Sequence, residues 1–255
     1  MTPAAVAALA ARLHVARAQT TPAALEGDVP AGVDDAYAVQ AEVIRLGGDT
    51  LTAWKVTALR PEDQLAYGAN RAVACPLMAR FVHESPAVLS LSGFVRPLLE
   101  CEFAVRLARD LPPRATPYTR EEIAAAIDAV VPAFEIADGR VPASAPGPLR
   151  LADSMGNGAF ITGTPVPWTG QDLDAARVTL TLDGEPAGTA TGDRIYGGPL
   201  GAVQALANAQ PLSAPLLAGQ IVTTGSATVP LPLPHPTEAV ADFGPLGIIR
   251  LRLEA

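Results

Sequence analysis

Apolar positions in residues 3–18 recur at helical spacing, with Val6, Leu9 and Leu13 on one stripe, and predict an amphipathic helix. A second helical pattern, DDAYAVQAEVIRLGG, opens on an aspartate suited to an N-cap and closes on Gly47 and Gly48. The run LTAWKVTAL after it reads as a strand. From about Val88 the texture changes to short apolar segments separated by Pro and Gly, with one helix among them. That helix is expected to open with the capping box Thr119-Arg120-Glu121-Glu122, carry Ile123, Ile127 and Val130 on one face, and stop at Pro132. In RVTLTLDGEPAGTAT, Val178, Leu180 and Leu182 alternate before Asp183-Gly184, the signature of a hairpin. GGPLGAVQALANAQ predicts one more helix, and IVTTGSATVPL and GIIRLRLEA predict closing strands. The pattern is α+β, helical at the N-terminus and β-rich afterwards, without internal repeats.

Composition narrows the function classes. A chain of 255 residues, 49% of them hydrophobic, can build a real core in one large domain or two modest ones. The net charge of −8 and the lack of any Lys/Arg-rich run exclude a nucleic-acid surface, which needs clustered cations. No stretch approaches the roughly 20 apolar residues that span a bilayer. The apolar N-terminus lacks a preceding cation and is interrupted by Arg12, His14 and Arg17, so it reads as a helix rather than a signal peptide. Cys75 and Cys101 have neither metal-ligand nor disulfide spacing, and reduced thiols in a cytoplasm are the expectation.

Against this background the stretch LLECEF stands out. On a strand, Glu100 and Glu102 project to one face while Cys101 and Phe103 go to the other. Adjacent buried anions repel, and the arrangement is tolerable if the face is solvated, if one carboxyl is protonated, or if a cation lies between them. In VVPAFEIADGR, a strand over residues 133–137 puts Glu135 on a face with the small Ala133 and Ala137. Three carboxylates with open coordination positions suit a hard cation such as Mg²⁺ or Mn²⁺. The alternative is a solvated Glu-x-Glu face with Glu135 paired to an arginine such as Arg140.

Several segments in one order carry a resemblance. DDAYAVQ, WKV at 54–56, RPLLECEFAVRLARDLP, VVPAFEIADGR, LADSMGNGAFITG, GGPLGAVQALAN and LLAGQIVTTG together resemble the 2-keto-4-pentenoate hydratase and 4-oxalocrotonate decarboxylase group of the fumarylacetoacetate hydrolase superfamily. The resemblance covers nearly the whole chain. It implies an N-terminal α/β portion over residues 1–85 and, over 86–255, a catalytic domain built as a β-rich mixed-sheet roll. It implies Glu100, Glu102 and Glu135 as ligands of Mg²⁺ or Mn²⁺, and Lys55, the chain's only lysine, as the acid/base and substrate-positioning group. Asp153, Ser154 and Thr57 are the substrate-contacting residues that it implies.

The implied activity is metal-dependent water addition to a small 2-oxo or 2-hydroxydienoic acid in aromatic-compound catabolism. The alternatives are decarboxylation of an oxalocrotonate-like diacid, carbon-carbon hydrolysis, and a non-enzymatic role as a divergent partner subunit. A homo-oligomer, with or without a related decarboxylase or hydratase, is the implied assembly. A diacid substrate needs an extra cation, for which Arg71 and Arg140 are candidates.

The chain departs from the family pattern at four places. Thr57-Ala58-Leu59 replaces Gly-Leu-Thr after Lys55-Val56, and RAVACPL replaces a Pro-Asp-Phe-Gly segment. Ala152-Asp153-Ser154-Met155-Gly156 stands for Ala-Asp-Asn-Ala-Ser, and Gly197-Gly198-Pro199-Leu200-Gly201 for Gly-His-Pro-Leu-Asn. The histidines add little: His14 lies in the first helix, His235 between prolines, and His83-Glu84 reads as a solvated loop rather than a water-activating dyad. GDRIYGGPLG lacks a phosphate-binding lysine and is a turn.

Overall fold

The hydroxyl of Thr2 accepts the Ala5 amide, Pro3 occupies the first turn, and helix α1 (Pro3–Ala18) follows, turning Leu9, Ala10, Leu13 and Ala16 inward. This computed structural model describes all 255 residues. Helix α2 (Val33–Gly47) packs on α1 and ends at Gly48, whose φ of 60° is the left-handed conformation expected of a terminating glycine. Its start differs from expectation. Gly32 is the cap, and Asp34 and Asp35 fall inside the first turn, where their charges favour the helix dipole.

The chain continues through β1 (Leu51–Thr57), α3 (Pro61–Leu65), β2 (Val73–Met78), β3 (Val82–Glu84), β4 (Ala87–Ser90) and β5 (Leu98–Leu107). Next come α4 (Arg120–Ala124), β6 (Ile127–Ala137), α5 (Gly147–Ala152), β7 (Asn157–Thr162) and β8 (Val166–Pro167). The last part holds β9 (Arg177–Leu182), β10 (Glu185–Thr191), α6 (Gly198–Asn208), β11 (Ile221–Thr223), β12 (Leu231–Pro232), β13 (Thr237–Asp242) and β14 (Ile248–Glu254).

These strands form two sheets. The larger, mixed sheet runs β2-β1-β11-β5-β6-β7-β3, with β12 added to β5 and β8 to β6. The smaller runs β10-β9-β13-β14-β4. Residues 1–85 thus contribute β1, β2 and β3 to the same sheet as β5–β7. The sheets enclose the main core, where Phe103 meets Phe243 edge to face at 5.2 Å between ring centroids.

The expected helix over 119–131 is only half present. The capping box forms, but the helix ends at Ala124, and the apolar run from Ile127 is the long central strand β6. Burial decides this: β6 is covered on both faces, which suits Val130 and Val131 better than a one-sided helix does. Pro132 is tolerated within it because the neighbouring strand changes there, from β8 opposite Ala129 and Val130 to β7 from Ala133 onward. The hairpin at Asp183-Gly184 forms as the sequence predicts, both turn residues having positive φ. Strand β13 had no counterpart in the sequence reading, and IVTTGSATVPL supplies two short strands rather than one.

Alternation along β5 and β6 gives the larger sheet two unlike faces. Cys101, Phe103, Phe134 and Ile136 enter the main core. The opposite face carries Ala104, Ala133 and Phe160 together with Glu100, Glu102 and Glu135.

Candidate metal centre

Register brings the acidic residues together. Strands β5 and β6 pair so that Glu100 lies directly across from Glu135, and Glu102 across from Ala133. One oxygen from each of the three carboxylates lies within 4.8 Å of the others. Like charges directly opposed on a sheet are destabilising, so the arrangement calls for positive charge. One source is Lys55, which reaches the cluster from β1, two strands away across β11, and donates a hydrogen bond to Glu135 Oε1.

Burial sharpens the imbalance. Glu102 and Glu135 are fully buried and Lys55 nearly so, while Glu100 keeps some exposure. Burial, with the nearby charge of Glu135, pushes the Glu100 carboxyl up to about 7. Burial also raises Glu102 well above the usual carboxylate range, with Glu135 and Glu100 adding to it. For Lys55, burial alone favours the neutral amine, but the charges of Glu135 and Glu100 and the hydrogen bond to Glu135 outweigh it and raise the ammonium's pKa.

The residues present fit a divalent cation. Three carboxylates against one ammonium leave a formal charge of −2 in a buried place. Glu102 Oε2 accepts the Gly225 amide at 2.9 Å, but Glu102 Oε1 and Glu135 Oε2 have no hydrogen-bond partner. Unpartnered buried carboxylate oxygens are costly, and a hard cation with bonds of roughly 2.0 to 2.6 Å fits a cluster of this span.

The cluster opens into a cavity of about 600 Å³. Lys55, Glu100 and Glu102 line it, and Val56, Leu98, Val141 and Met155 give it apolar wall. Thr57 and Asp153 also line it; Ser154 does not. The Asp153 carboxylate is already engaged: Oδ1 accepts Arg17 at 3.0 Å, and Oδ2 accepts the amides of Arg140 and Val141. It ties α1 to the segment after β6. Ser154, Met155 and Gly156 all take positive φ, at 52°, 51° and 71°, so the chain turns sharply beside the cavity at one of the departures from the family pattern. At another, Thr57 remains in β1, and the left-handed residue is Ala58, with φ of 52°.

Two arginines are not where a diacid would need them. Arg140 is buried against Asp138, whose carboxylate it neutralises, and so it is not the partner of Glu135 either. Arg71 faces a separate surface hollow with Asp34 and Asp35. The cavity instead receives Arg150 from α5 and Arg96 from the loop before β5, where Asp138 holds the Arg96 amide. Their spacing from the glutamates gave no sequence signal. His83 and Glu84 lie in strand β3 rather than in the expected loop, and Glu84 lines a different hollow from the cluster; Val73–Leu77 of RAVACPL fall in β2, with Cys75 directly opposite Lys55. Burial raises the pKa of that thiol.

Comparison with known proteins agrees with this architecture. No family model matches the chain. It is 30% identical over 232 residues to a 2-keto-4-pentenoate hydratase of Burkholderia vietnamiensis, covering 87% of each chain. It is 31% identical over 241 residues to a 2-oxo-hept-4-ene-1,7-dioate hydratase of Escherichia coli, covering 86% of each. Among solved structures, the 4-oxalocrotonate decarboxylase from Pseudomonas putida G7, complexed with magnesium and adipate, superposes with a TM-score of 0.87. That alignment covers 100% of this chain and 99% of the other at 23% identity.

Proposed function

Since the chain belongs to the family of 2-keto-4-pentenoate hydratases and 4-oxalocrotonate decarboxylases, with the fold of the fumarylacetoacetate hydrolase superfamily, we propose that it is a divalent-metal-dependent hydratase of small 2-hydroxydienoic or 2-oxo acids. Glu100, Glu102 and Glu135 hold the ion, taken as Mg²⁺ or Mn²⁺, and Lys55 is the acid/base group. The observation that carries this reading is the buried carboxylate cluster, with a formal charge of −2 after Lys55 is counted, beside a ligand-sized cavity that two of its glutamates line. The reading also places the enzyme in the cytoplasm as a homo-oligomer serving aromatic-compound catabolism. No helix is long and apolar enough to cross a membrane.

When bound, the cation supplies Lewis acidity to the carboxylate and 2-oxo oxygens of the substrate. The protein does the rest. Glu135 fixes the Lys55 ammonium by a hydrogen bond, and the place of Lys55 on the cavity wall lets the lysine move a proton at the substrate. Ketonisation of the dienol delivers that proton to carbon, and water then adds across the conjugated double bond. Val56, Leu98 and Val141 limit water around the carbon chain.

The test follows the dienoate absorbance. With Mg²⁺ or Mn²⁺, 2-hydroxypenta-2,4-dienoate or a longer homologue should be converted to the 4-hydroxy-2-oxo acid, and a chelator should stop the reaction. Release of carbon dioxide from an oxalocrotonate-like diacid, without hydration of any dienoate, would overturn the hydratase assignment in favour of the decarboxylase.

A further inference from the structure

Beside the glutamates lies a buried threonine hydroxyl with no hydrogen-bond partner. We propose that this residue, Thr223, is a positioning residue of the metal centre, donating its hydroxyl hydrogen to Glu102 and so orienting that carboxylate toward the ion. This rests on the reading above that the three glutamates hold a divalent cation.

Strand β11 runs between β1 and β5, and its last residue, Thr223, stands directly beside Lys55 in the parallel pairing. Val222 and Trp54, one residue earlier on each strand, enter the main core. Alternation therefore turns Thr223 and Lys55 to the opposite face, the one that carries Glu100, Glu102 and Glu135. The same segment already holds Glu102 once, since the amide of Gly225 donates to Glu102 Oε2 at 2.9 Å. The Thr223 hydroxyl lies near enough to oppose the rise that burial and the charges of Glu135 and Glu100 produce in the Glu102 carboxyl, in a geometry still short of a hydrogen bond.

Full burial makes the missing bond informative. Thr223 has no exposure, and a buried hydroxyl without a partner is costly. The other buried threonines of this stretch are engaged: Thr224 Oγ1 donates to the Phe103 carbonyl, and Thr228 Oγ1 accepts the Cys101 amide at 3.2 Å. Valine has nearly the shape of threonine and suits a buried strand at least as well, so packing does not account for a hydroxyl here. Glu102 Oε1 is likewise buried and unpartnered. A carboxylate offers about four lone-pair sites, so Glu102 can accept the Gly225 amide and the Thr223 hydroxyl and still bind the ion. Carboxylates that ligate metals are held by such hydrogen bonds. Thr223 does not line the cavity, and so it acts through Glu102 rather than on the substrate.

The experiment titrates Mn²⁺ into the chelator-treated full chain, followed by electron paramagnetic resonance, for the wild type, Thr223→Val and Thr223→Ser. Thr223→Val keeps the shape and removes the hydroxyl, and it should weaken binding about 10- to 100-fold, the usual effect of losing an outer-shell hydrogen bond. Thr223→Ser keeps the hydroxyl and should bind as the wild type does. The metal-free melting temperature of Thr223→Val should equal or exceed that of the wild type, because a buried unpaired hydroxyl has been removed. Unchanged affinity in Thr223→Val, equal losses in both variants, or a lower metal-free melting temperature in Thr223→Val would overturn the inference and leave the three-glutamate site standing. No saturable Mn²⁺ binding by the wild type would overturn the underlying reading, and the inference with it.

Discussion

Lys55 stands between an ion-pair partner, Glu135, and a cavity that can admit substrate, so its removal separates two roles. As the acid/base group, Lys55→Met should retain metal binding and lower kcat by a factor of about 10² to 10⁴. A rise in KM with kcat unchanged would mean that the lysine only holds substrate. Without metal the variant leaves Glu135 buried and unpaired, and its melting temperature should fall, consistent with the roughly 3–5 kcal/mol cost of breaking a buried pair. That Glu100 and Glu102 share a face was legible because a period of two fixes it from sequence alone, whereas the grouping of Glu135 and Lys55 with them rested on the family resemblance. Arg150 was not legible. Its place on the cavity depends on how the segment after β6 folds back under Asp138 and Asp153, and no local periodicity encodes that.

At the scale of elements, the helix-forming signal at Thr119 was read correctly and carried too far. A capping box determines where a helix starts, whereas burial on both faces turned Ile127–Ala137 into a strand. Strand β13 escaped notice because TEAVAD is short and gains its partners, β9 and β14, only through long-range pairing. The cavity wall depends on another close approach. A Cβ on Gly147, the first residue of α5, would lie 1.8 Å from the Ala66 carbonyl oxygen and 2.8 Å from Tyr67 Cα. Gly147→Ala should therefore push α5 from the segment bearing Tyr67 and destabilise the protein by about 1–3 kcal/mol, read by denaturant unfolding. Unchanged stability would show that α5 shifts freely, contrary to the tight packing described.

For the whole molecule, two sheets pack one face of β5 and β6 into the main core and leave the other to hold three carboxylates against small alanines. The fold class was legible from the change in texture along the chain; the partition of strands between sheets was not, because sheet order is set by contacts distant in sequence. The account turns on the claim that this acidic face is a metal site. Titration of Mn²⁺ into chelator-treated protein, followed by electron paramagnetic resonance, tests it most directly. The account predicts one saturable site per chain, weakened by at least about 10-fold in Glu102→Gln and in Glu135→Gln, since even outer-shell substitutions cost that much. No saturable site in the wild type, or unchanged affinity in both variants, would contradict it.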